Sequence, residues 1–313
     1  MQVFRFNAPL NFMRLKFWAV ALSVVLLLAS AWSLTTRGIN WGLDFTGGTV
    51  IEVGYPQAAD LVAMRKTLSA AGYPDAVVQL FGSSKEVLIR IPLRDGVAQA
   101  QVGQTVMAAL NAEQADPVSQ RRLEFVGPSV GEELKQDGGM AMLVALLGIL
   151  AYVAMRFEWR LSVGAVASLG HDVILTLGLF SILQLEFDLT VLAAILALIG
   201  YSINDTIVVF DRIRECFRKL RDASVDDTIN EAITSTLNRT VITSLTTVLV
   251  LIVLFYMGGA LIHGFATALL FGIAVGTYSS VYVASALAQM LGLSREDMLP
   301  TVVEPDEGVG IQP

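Results

Sequence analysis

Four ionisable residues lie inside long apolar stretches of this sequence, where a charged side chain is costly. They are His171, Asp172, Asp205 and Arg239. Placing an Asp or Arg at the centre of a membrane-spanning helix costs roughly 3 kcal/mol even on a lenient scale. Such groups persist where they pair with one another or carry protons, so these four residues are the candidates for chemistry.

Asp205 and Arg239 have opposite charges and comparable expected depths. Asp205 lies six residues before Asp211, about 9 Å along a helix, and Arg239 lies eight residues after Glu231, about 12 Å along a helix. An ion pair between Asp205 and Arg239 is therefore geometrically possible. A carboxylate balanced between desolvation and a nearby guanidinium can take up and release protons, as a proton relay requires.

Polar residues extend both positions into stripes along their helices. The first stripe comprises Tyr201, Ser202 and Asp205, and the second comprises Arg239, Thr243, Thr246 and Thr247. Residues three or four positions apart share a helix face, so the pattern predicts a hydrated seam between the two helices. The structural alternative is that the Asp–Arg pair is a lock and that the Thr side chains hold helices together by hydrogen bonds.

His171 and Asp172 are expected near the midplane of their span, since His171 lies about 15 Å from the start of that span. Neighbouring positions point about 100° apart on a helix, so the two side chains are predicted on different faces. A functional and a structural role both stay open for them. Ser202 with His171 could also suggest an intramembrane serine protease, but the second glycine of a GxSxG motif is absent.

Neither a metal site nor a phosphate loop is expected. The chain has two histidines, one cysteine and no HExxH motif, so no zinc site or other cofactor is predicted. The glycine-rich segment with Gly42, Asp44, Gly47 and Gly48 lacks the lysine of a phosphate loop. We expect a tight turn there, where the first span meets the next domain.

The composition places the chain in a membrane. Of the 313 residues, 54% are apolar and only 16% are charged, and the mean hydropathy is +0.63. No Asp, Glu, Lys or Arg occurs in residues 240–294. A soluble enzyme is therefore excluded, a net charge of −7 offers no basic surface for nucleic acid, and a single Cys216 cannot form an internal disulfide.

Six apolar segments have the length of membrane spans. They are residues 17–35, 138–155, 161–185, 189–210, 239–258 and 264–291. Lys and Arg cluster in residues 1–16, after the second span and in the loop 211–238, so we expect these segments, both termini and the tail 292–313 to be cytoplasmic. An alternative for the first span is a cleaved signal peptide, because Ala29 and Ala31 fit the A-x-A pattern, but the apolar run continues past it.

Residues 36–137 are expected outside as one small α+β domain. Runs of β-branched and apolar residues alternate with helical stripes in the order β-α-β-β-α-β, which predicts a ferredoxin-like fold. The domain ends near Gly127 and Pro128. Ser129 and Glu132 have the spacing of a capping box, which predicts the start of the helix leading into the second span.

Several motifs together resemble the SecD/SecF family. They are WGLDFTGGT at 41–49, FVGPSVG at 125–131, RFEWR at 156–160, ASLGHD at 167–172, IGYSINDTIVVFDRIRE at 199–215 and LNRT at 237–240. The resemblance covers nearly the whole chain. The length, the six spans and the short external domain are similar to the shorter members of the family.

The resemblance implies a polytopic α-helical fold equivalent to one half of an RND-type transporter. It also implies a non-enzymatic subunit in the bacterial cytoplasmic membrane that pairs with SecD and uses the proton-motive force to assist the export and release of polypeptides. The SecYEG channel, YajC and YidC are the further implied partners. By motif, Asp205 and Arg239 match family residues tied to proton use, and Thr243 is their neighbour. The rival interpretations are a scaffold for SecD that is not energised, and half of a small-molecule exporter.

Overall fold

The structure is a computed structural model that describes residues 8–81, 83–93, 99–112, 117–220 and 222–298. Within these ranges, six helical segments are long and apolar enough to cross a membrane. They are α1 (Lys16–Thr36), α5 (Pro128–Arg156), α6 (Trp159–Leu183), α7 (Leu189–Lys219), α8 (Val225–Met257) and α9 (Ala260–Val281), which continues after a break at Tyr282 into α10 (Val283–Met290). The prediction of a polytopic helical membrane protein is confirmed.

Helices α6 and α7 form the centre of the bundle. Helix α7 packs against α6, α8 and α9, and α6 packs against α1, α9 and α10. Large apolar side chains such as Leu161, Phe210 and Ile213 fill the interior. In contrast, most side chains of α1, of α5 and of the second half of α8 are exposed, which places these segments at the rim of the bundle.

Capping residues set where the central helices begin. The Asp188 carboxylate accepts hydrogen bonds from Val191 N at 2.9 Å and Thr190 Oγ1 at 2.7 Å at the start of α7. Ser224 accepts from Asp227 N at the start of α8. Side-chain oxygens at these positions satisfy amide groups that the first helical turn leaves free.

The two ends of the bundle carry different contacts. One end carries the ion pair Arg156–Asp211, at 2.8 Å between α5 and α7, and we call it the terminal end because α1 begins there. The opposite end meets the α+β domain, and we call it the domain end. At this end Gly259, with φ +72°, permits the tight connection between α8 and α9.

The domain between α1 and α5 has the predicted ferredoxin-like order. It consists of β2 (Gly48–Gly54), α3 (Leu61–Ala70), β3 (Val77–Phe81), β4 (Ser83–Pro92), α4 (Gln99–Ala112) and β5 (Ser119–Val126). The sheet order is β3-β4-β2-β5 with every neighbouring pair antiparallel. Ile51, Val53, Val87 and Ile89 are fully buried in its core. Gly82, between β3 and β4, lies outside the described residues.

The glycine-rich segment is a tight junction, as predicted. The short helix α2 (Leu43–Thr46) ends at Gly47, with φ +70°, and Gly48 follows with φ +142°. A Cβ atom on Gly48 would lie 2.5 Å from the carbonyl oxygen of Ile91, so only glycine fits there. Asp44 Oδ2 accepts a hydrogen bond of 3.0 Å from Leu189 N, which ties this junction to the start of α7.

Helix α5 does not begin with the capping box that the sequence predicted. Gly127 occupies the N-cap position and Pro128 the first helical position, and no side chain caps the helix. The predicted Ser129–Glu132 capping box is therefore wrong, and the helix begins two residues earlier than that box would place it. Proline serves here because its fixed φ suits the first turn and it lacks the amide hydrogen that would otherwise be free.

The α+β domain also docks directly on the bundle. Strand β1 (Asn40–Trp41) pairs in parallel with β6 (Glu186–Phe187), which lies between α6 and α7. Arg90 on β4 forms an ion pair with Glu186. Burial lowers the pKa of Arg90, whereas the nearby Asp188 and Asp44 raise it. The domain is thus attached by charge and backbone pairing to the segment that leads into α7.

Candidate functional site

Asp205 is a buried carboxylate with an unsatisfied oxygen. It lies on the inner face of α7, is 5% exposed, and its Oδ2 atom has no hydrogen-bond partner among the described residues. Thr240 on α8 lies beside it, and the Thr240 hydroxyl is likewise buried without a partner. An ionised carboxylate in this state would carry a large desolvation cost.

Arg239 is a neighbour of Asp205 without a direct bond to it. The guanidinium lies within electrostatic range of the carboxylate. In the described part of the chain, however, no Lys, Arg or His nitrogen lies within 4.0 Å of the Asp205 carboxylate. The ion pair expected from the sequence is therefore open in this structure, and Asp205 and Arg239 are close but separate.

A cleft between α7 and α8 reaches Arg239 from the terminal end. Its volume is about 420 Å³, and its lining comprises Val208, Asp211, Arg212, Glu215, Ser235, Thr236 and Arg239. The lining is rich in charge, which suits water and ions better than an apolar ligand. The cleft therefore reaches Arg239, whereas Asp205 is not part of its lining.

The predicted polar stripe on α8 is largely exposed, so it does not line a hydrated seam between α7 and α8. Arg239, Thr243 and Thr246 are exposed, and Thr247 is half-buried. The Thr243 hydroxyl donates to the backbone carbonyl groups of Arg239 and Thr240, at 2.9 and 3.0 Å. A side chain that bonds within its own helix does not line a seam with α7, so this part of the prediction is wrong.

The stripe that does face α7 and α9 is Thr236, Thr240 and Ser244. All three are buried, and their spacing of four residues places them on one face. Ser244 Oγ and Thr277 Oγ1 of α9 are 2.9 Å apart, and the Tyr201 hydroxyl donates a long hydrogen bond of 3.5 Å to Ser244. The four-residue spacing was present in the sequence, but Arg239 and Thr243 of the outer stripe are also four residues apart, so spacing did not single out the inner stripe.

A second polar cluster lies where α6, α7 and α9 meet. His171 Nδ1 is 2.9 Å from Asp172 Oδ1, and both side chains are buried. Asp172 Oδ2 accepts hydrogen bonds from Ser202 Oγ of α7 at 2.5 Å and from Ser279 Oγ of α9 at 2.7 Å. The prediction that His171 and Asp172 lie on different faces is wrong, because the two adjacent side chains turn toward each other.

Ser202 therefore contacts a carboxylate and not an imidazole. A serine nucleophile needs a base to accept its proton, and in the known triads that base is usually a histidine next to the hydroxyl. Here His171 bonds to Asp172 on the side away from Ser202. The arrangement does not support the protease alternative.

Comparison with known proteins places these features in one family. The family model for protein export membrane proteins SecD and SecF, C-terminal part, matches residues 106–294, more than half of the chain. The model of the SecD/SecF GG motif matches residues 32–59, which include Gly47 and Gly48. The chain belongs to the SecD/SecF family.

Individual relatives agree with that assignment. The chain is 54% identical to the protein translocase subunit SecF of Vibrio alginolyticus, over 97% of this chain and 96% of that protein. It is 48% identical to SecF of Pseudomonas aeruginosa, over 93% of this chain and 94% of that protein. These relatives and the six apolar helices identify a bacterial multi-pass membrane protein.

Solved structures of SecD/SecF proteins share the fold. The crystal structure of SecDF from Thermus thermophilus, described as a translocon-associated membrane protein, has a TM-score of 0.80 and 38% identity over 91% of this chain. SecDF in its super-membrane-facing form has a TM-score of 0.70 and 37% identity over 92% of the chain. The chain spans 39% of the length of each solved protein.

Proposed function

We propose that this chain is the SecF subunit of a bacterial protein translocase and that it works with a SecD-type partner. In this proposal the complex uses the proton-motive force to assist the translocation and release of exported polypeptides. The support from relatives is identity of 48% and 54% to proteins named SecF, over nearly the full length of each. We propose that the chain itself is non-enzymatic. Proton flow across the membrane, and not a chemical reaction on this chain, would then supply the energy for export.

The observation that carries the proton part of the proposal is the state of Asp205. Its buried Oδ2 has no partner among the described residues, and Arg239 stands close without closing an ion pair. The charge-lined cleft between α7 and α8 reaches Arg239 from one end of the bundle. A carboxylate behind a hydrated cleft can exchange a proton with that side.

Binding of a proton neutralises Asp205 and so changes the electrostatic attraction between α7 and α8. Deprotonated Asp205 attracts Arg239 and would draw α7 and α8 together, whereas protonated Asp205 releases the guanidinium. One charge that crosses 100 mV contributes about 2.3 kcal/mol, which shifts a two-state equilibrium about 50-fold. Helix α7 begins at the segment that holds the α+β domain, so its movement would reach that domain through Asp44 and Glu186.

The exposed stripe on α8 supports a partner in the membrane. Arg239, Thr243 and Thr246 point out of this chain at the level of the spans. A guanidinium that faces lipid is costly, so a second protein is expected to cover it. We assign this face to SecD, and we propose SecYEG, YajC and YidC as further associates.

The orientation follows from the charge distribution. Lys and Arg gather at the terminal end of the bundle, and we propose that this end and both termini are cytoplasmic. The α+β domain would then lie on the outer side of the inner membrane, where passenger polypeptides emerge.

Export into vesicles tests the proposal. The complex of this chain with its partner is reconstituted with the channel, and export is measured with and without a proton gradient. We expect Asp205→Asn to assemble normally and to lose most of the gradient-dependent increase. Asn204→Ala is the matched control, because Asn204 is the adjacent, exposed residue on α7. Unchanged gradient dependence in Asp205→Asn would remove this residue from the mechanism.

A second variant separates energy conversion from a scaffold role. The double change Asp205→Asn with Arg239→Gln removes both charges, so it leaves no uncompensated charge in the bundle. An energy converter should then assemble but lose gradient-dependent export. A scaffold should assemble and support export as before. Transport of small molecules with no effect on export would instead favour the exporter alternative.

A further inference from the structure

The proposed function leaves the buried pair of His171 and Asp172 without a role. His171 is 3% exposed and Asp172 is fully buried, at the point where three helices meet. The pair lies on α6, whereas Asp205 and Arg239 lie on α7 and α8. It is thus a separate titratable centre in the same bundle.

Asp172 accepts every hydrogen bond that surrounds it. His171 Nδ1 lies at one carboxylate oxygen, and the Ser202 and Ser279 hydroxyl groups donate to the other. Ser168 Oγ in turn donates to Ser279 Oγ at 3.1 Å. An ionised carboxylate can accept all three bonds, whereas a protonated carboxyl group must donate one and so lose an acceptor position.

His171 has one nitrogen that nothing satisfies. Its Nε2 atom is buried and has no partner within the described ranges of the chain. With Nδ1 directed at a carboxylate, the neutral ring carries its proton on Nδ1 and leaves a bare lone pair on Nε2. A purely structural lock would satisfy both nitrogens, since an unsatisfied buried polar atom destabilises the fold.

The surroundings contain few other groups that could titrate. From α9, the Tyr278 ring lies 6.4 Å from the His171 ring, and its hydroxyl donates to the Ala19 carbonyl of α1. From α7, the nearest ionisable residues along the helix are Tyr201, whose hydroxyl donates to Ser244 Oγ of α8, and Asp205, one turn after Ser202. Helix α10 and the spanning part of α1 have no Asp, Glu, Lys, Arg or His, and the ionisable groups of α5 lie toward its ends.

We propose that His171 and Asp172 form a second proton-binding site, which is linked to Asp205 through Ser202 on α7. The proton from water adds to the Nε2 lone pair of His171 and forms an imidazolium paired with the Asp172 carboxylate. The pair then changes from a net charge of −1 to zero. Helix α7 carries both the Ser202 hydroxyl bonded to Asp172 and, one turn later, the Asp205 carboxylate, so each site senses the charge of the other.

The inference rests on the proposed function only for its export readout. Whether His171 takes up a proton can be measured directly, because the chain has only two histidines, His171 and the exposed His263. This chain is labelled with ¹⁵N-histidine, combined with its unlabelled partner subunit in lipid nanodiscs, and observed by NMR. The variant His263→Gln assigns the remaining signal to His171.

We expect the His171 signal to change from the form protonated at Nδ1 to the doubly protonated form as the pH is lowered. Protonation of His171 is also expected in Asp205→Asn, displaced in pH because the linked charge is gone, so failure of the proposed function does not remove it. A signal of one form from about pH 4.5 to pH 9 would overturn the proton site. A signal protonated at Nε2 instead of Nδ1 would overturn the assigned geometry.

A conservative variant tests the link to export. His171→Asn keeps an N–H donor near the Nδ1 position and so preserves the bond to Asp172, but it cannot take up a proton. We expect normal assembly, and a pH dependence of gradient-driven export that is altered by at least about fivefold at one end of the profile. Ser181→Ala is the control, because Ser181 is another buried polar residue of α6, ten positions away and bonded to Gly38 O and Ser33.

The outcomes of the two experiments are distinct. A pH profile of His171→Asn identical to wild type would overturn the link between the two sites, whatever the NMR result. An altered profile in His171→Asn together with an unaltered profile in Ser181→Ala supports it, because a merely structural defect lowers export at every pH alike.

Discussion

Ser202 on α7 donates a hydrogen bond of 2.5 Å to Asp172 on α6, one helical turn before α7 presents Asp205. The two buried carboxylates of the bundle are thereby attached to one helix. Because α7 also begins at the segment that anchors the α+β domain, a change at either carboxylate has a short structural route to that domain.

Thr240 is expected to assist Asp205. Its hydroxyl is buried beside the carboxylate with no partner among the described residues, so a small rotation would let it donate to Asp205. We predict that Thr240→Val assembles but lowers the gradient-dependent part of export about 10- to 100-fold, the effect of losing one hydrogen bond to a charged group. Thr240→Ser should restore it. Equal activity of the Val and Ser variants would contradict this role.

Gly178 is expected to be required for the contact of α1 with α6. A Cβ atom on Gly178 would lie 2.3 Å from the Cβ atom of Ser30, so Gly178→Ala should destabilise the fold by about 1–3 kcal/mol. Thermal unfolding in detergent measures the effect. Adding Ser30→Gly should recover most of the loss, and Gly170→Ala, where a Cβ meets nothing within 4 Å, should cost little.

A comparable loss in Gly178→Ala and Gly170→Ala would show that the close approach of α1 and α6 does not set the cost, since alanine itself favours a helix more than glycine does. The absence of rescue by Ser30→Gly would lead to the same conclusion.

Arg90 is expected to hold the α+β domain on the bundle through Glu186. Arg90→Gln removes the positive charge that interacts with the carboxylates of Glu186, Asp188 and Asp44. The contact between the α+β domain and the helical bundle should therefore weaken. Hydrogen exchange should then speed up in β1 and β6, whose pairing depends on docking. The double change Arg90→Glu with Glu186→Arg should restore slow exchange, and an unchanged exchange rate in Arg90→Gln would show that the ion pair is dispensable.

Thr243 is expected to contact the partner subunit. A photo-reactive residue at position 243, on the exposed polar stripe of α8, should cross-link to SecD in the assembled complex. The matched position is Leu245, which is also exposed but lies about 200° around the same helix. Equal cross-linking from both positions, or none from position 243, would contradict the assignment of the stripe to the partner.

Much of the fold follows from the sequence because the determining patterns are long. A charge-free run of 20 residues has few structural options in a membrane protein, and alternating strands in the order β-α-β-β-α-β allow few sheets. The short pairing of Asn40 and Trp41 with Glu186 and Phe187 was not predicted, since two residues carry no periodic signal.

The site was predictable in composition and less so in geometry. Asp205 is buried, as its depth suggested, but α8 carries two polar stripes, and spacing alone cannot tell which one faces inward. Thr240 and Ser244 face the interior of the bundle, whereas Arg239 and Thr243 are exposed. The 100° between adjacent helical positions predicted that His171 and Asp172 would not meet. They do meet, because side chains of this length can turn toward each other across that angle.

Proton movement across the membrane tests the central claim most directly. Vesicles containing the complex of this chain with its partner and an internal pH-sensitive dye are given a proton gradient, and the rate of acidification is recorded. We predict proton flux for wild type and for Asn204→Ala, and flux at the level of empty vesicles for Asp205→Asn. Wild-type flux through Asp205→Asn would contradict the account, because protons would then enter by a route that does not need this carboxylate.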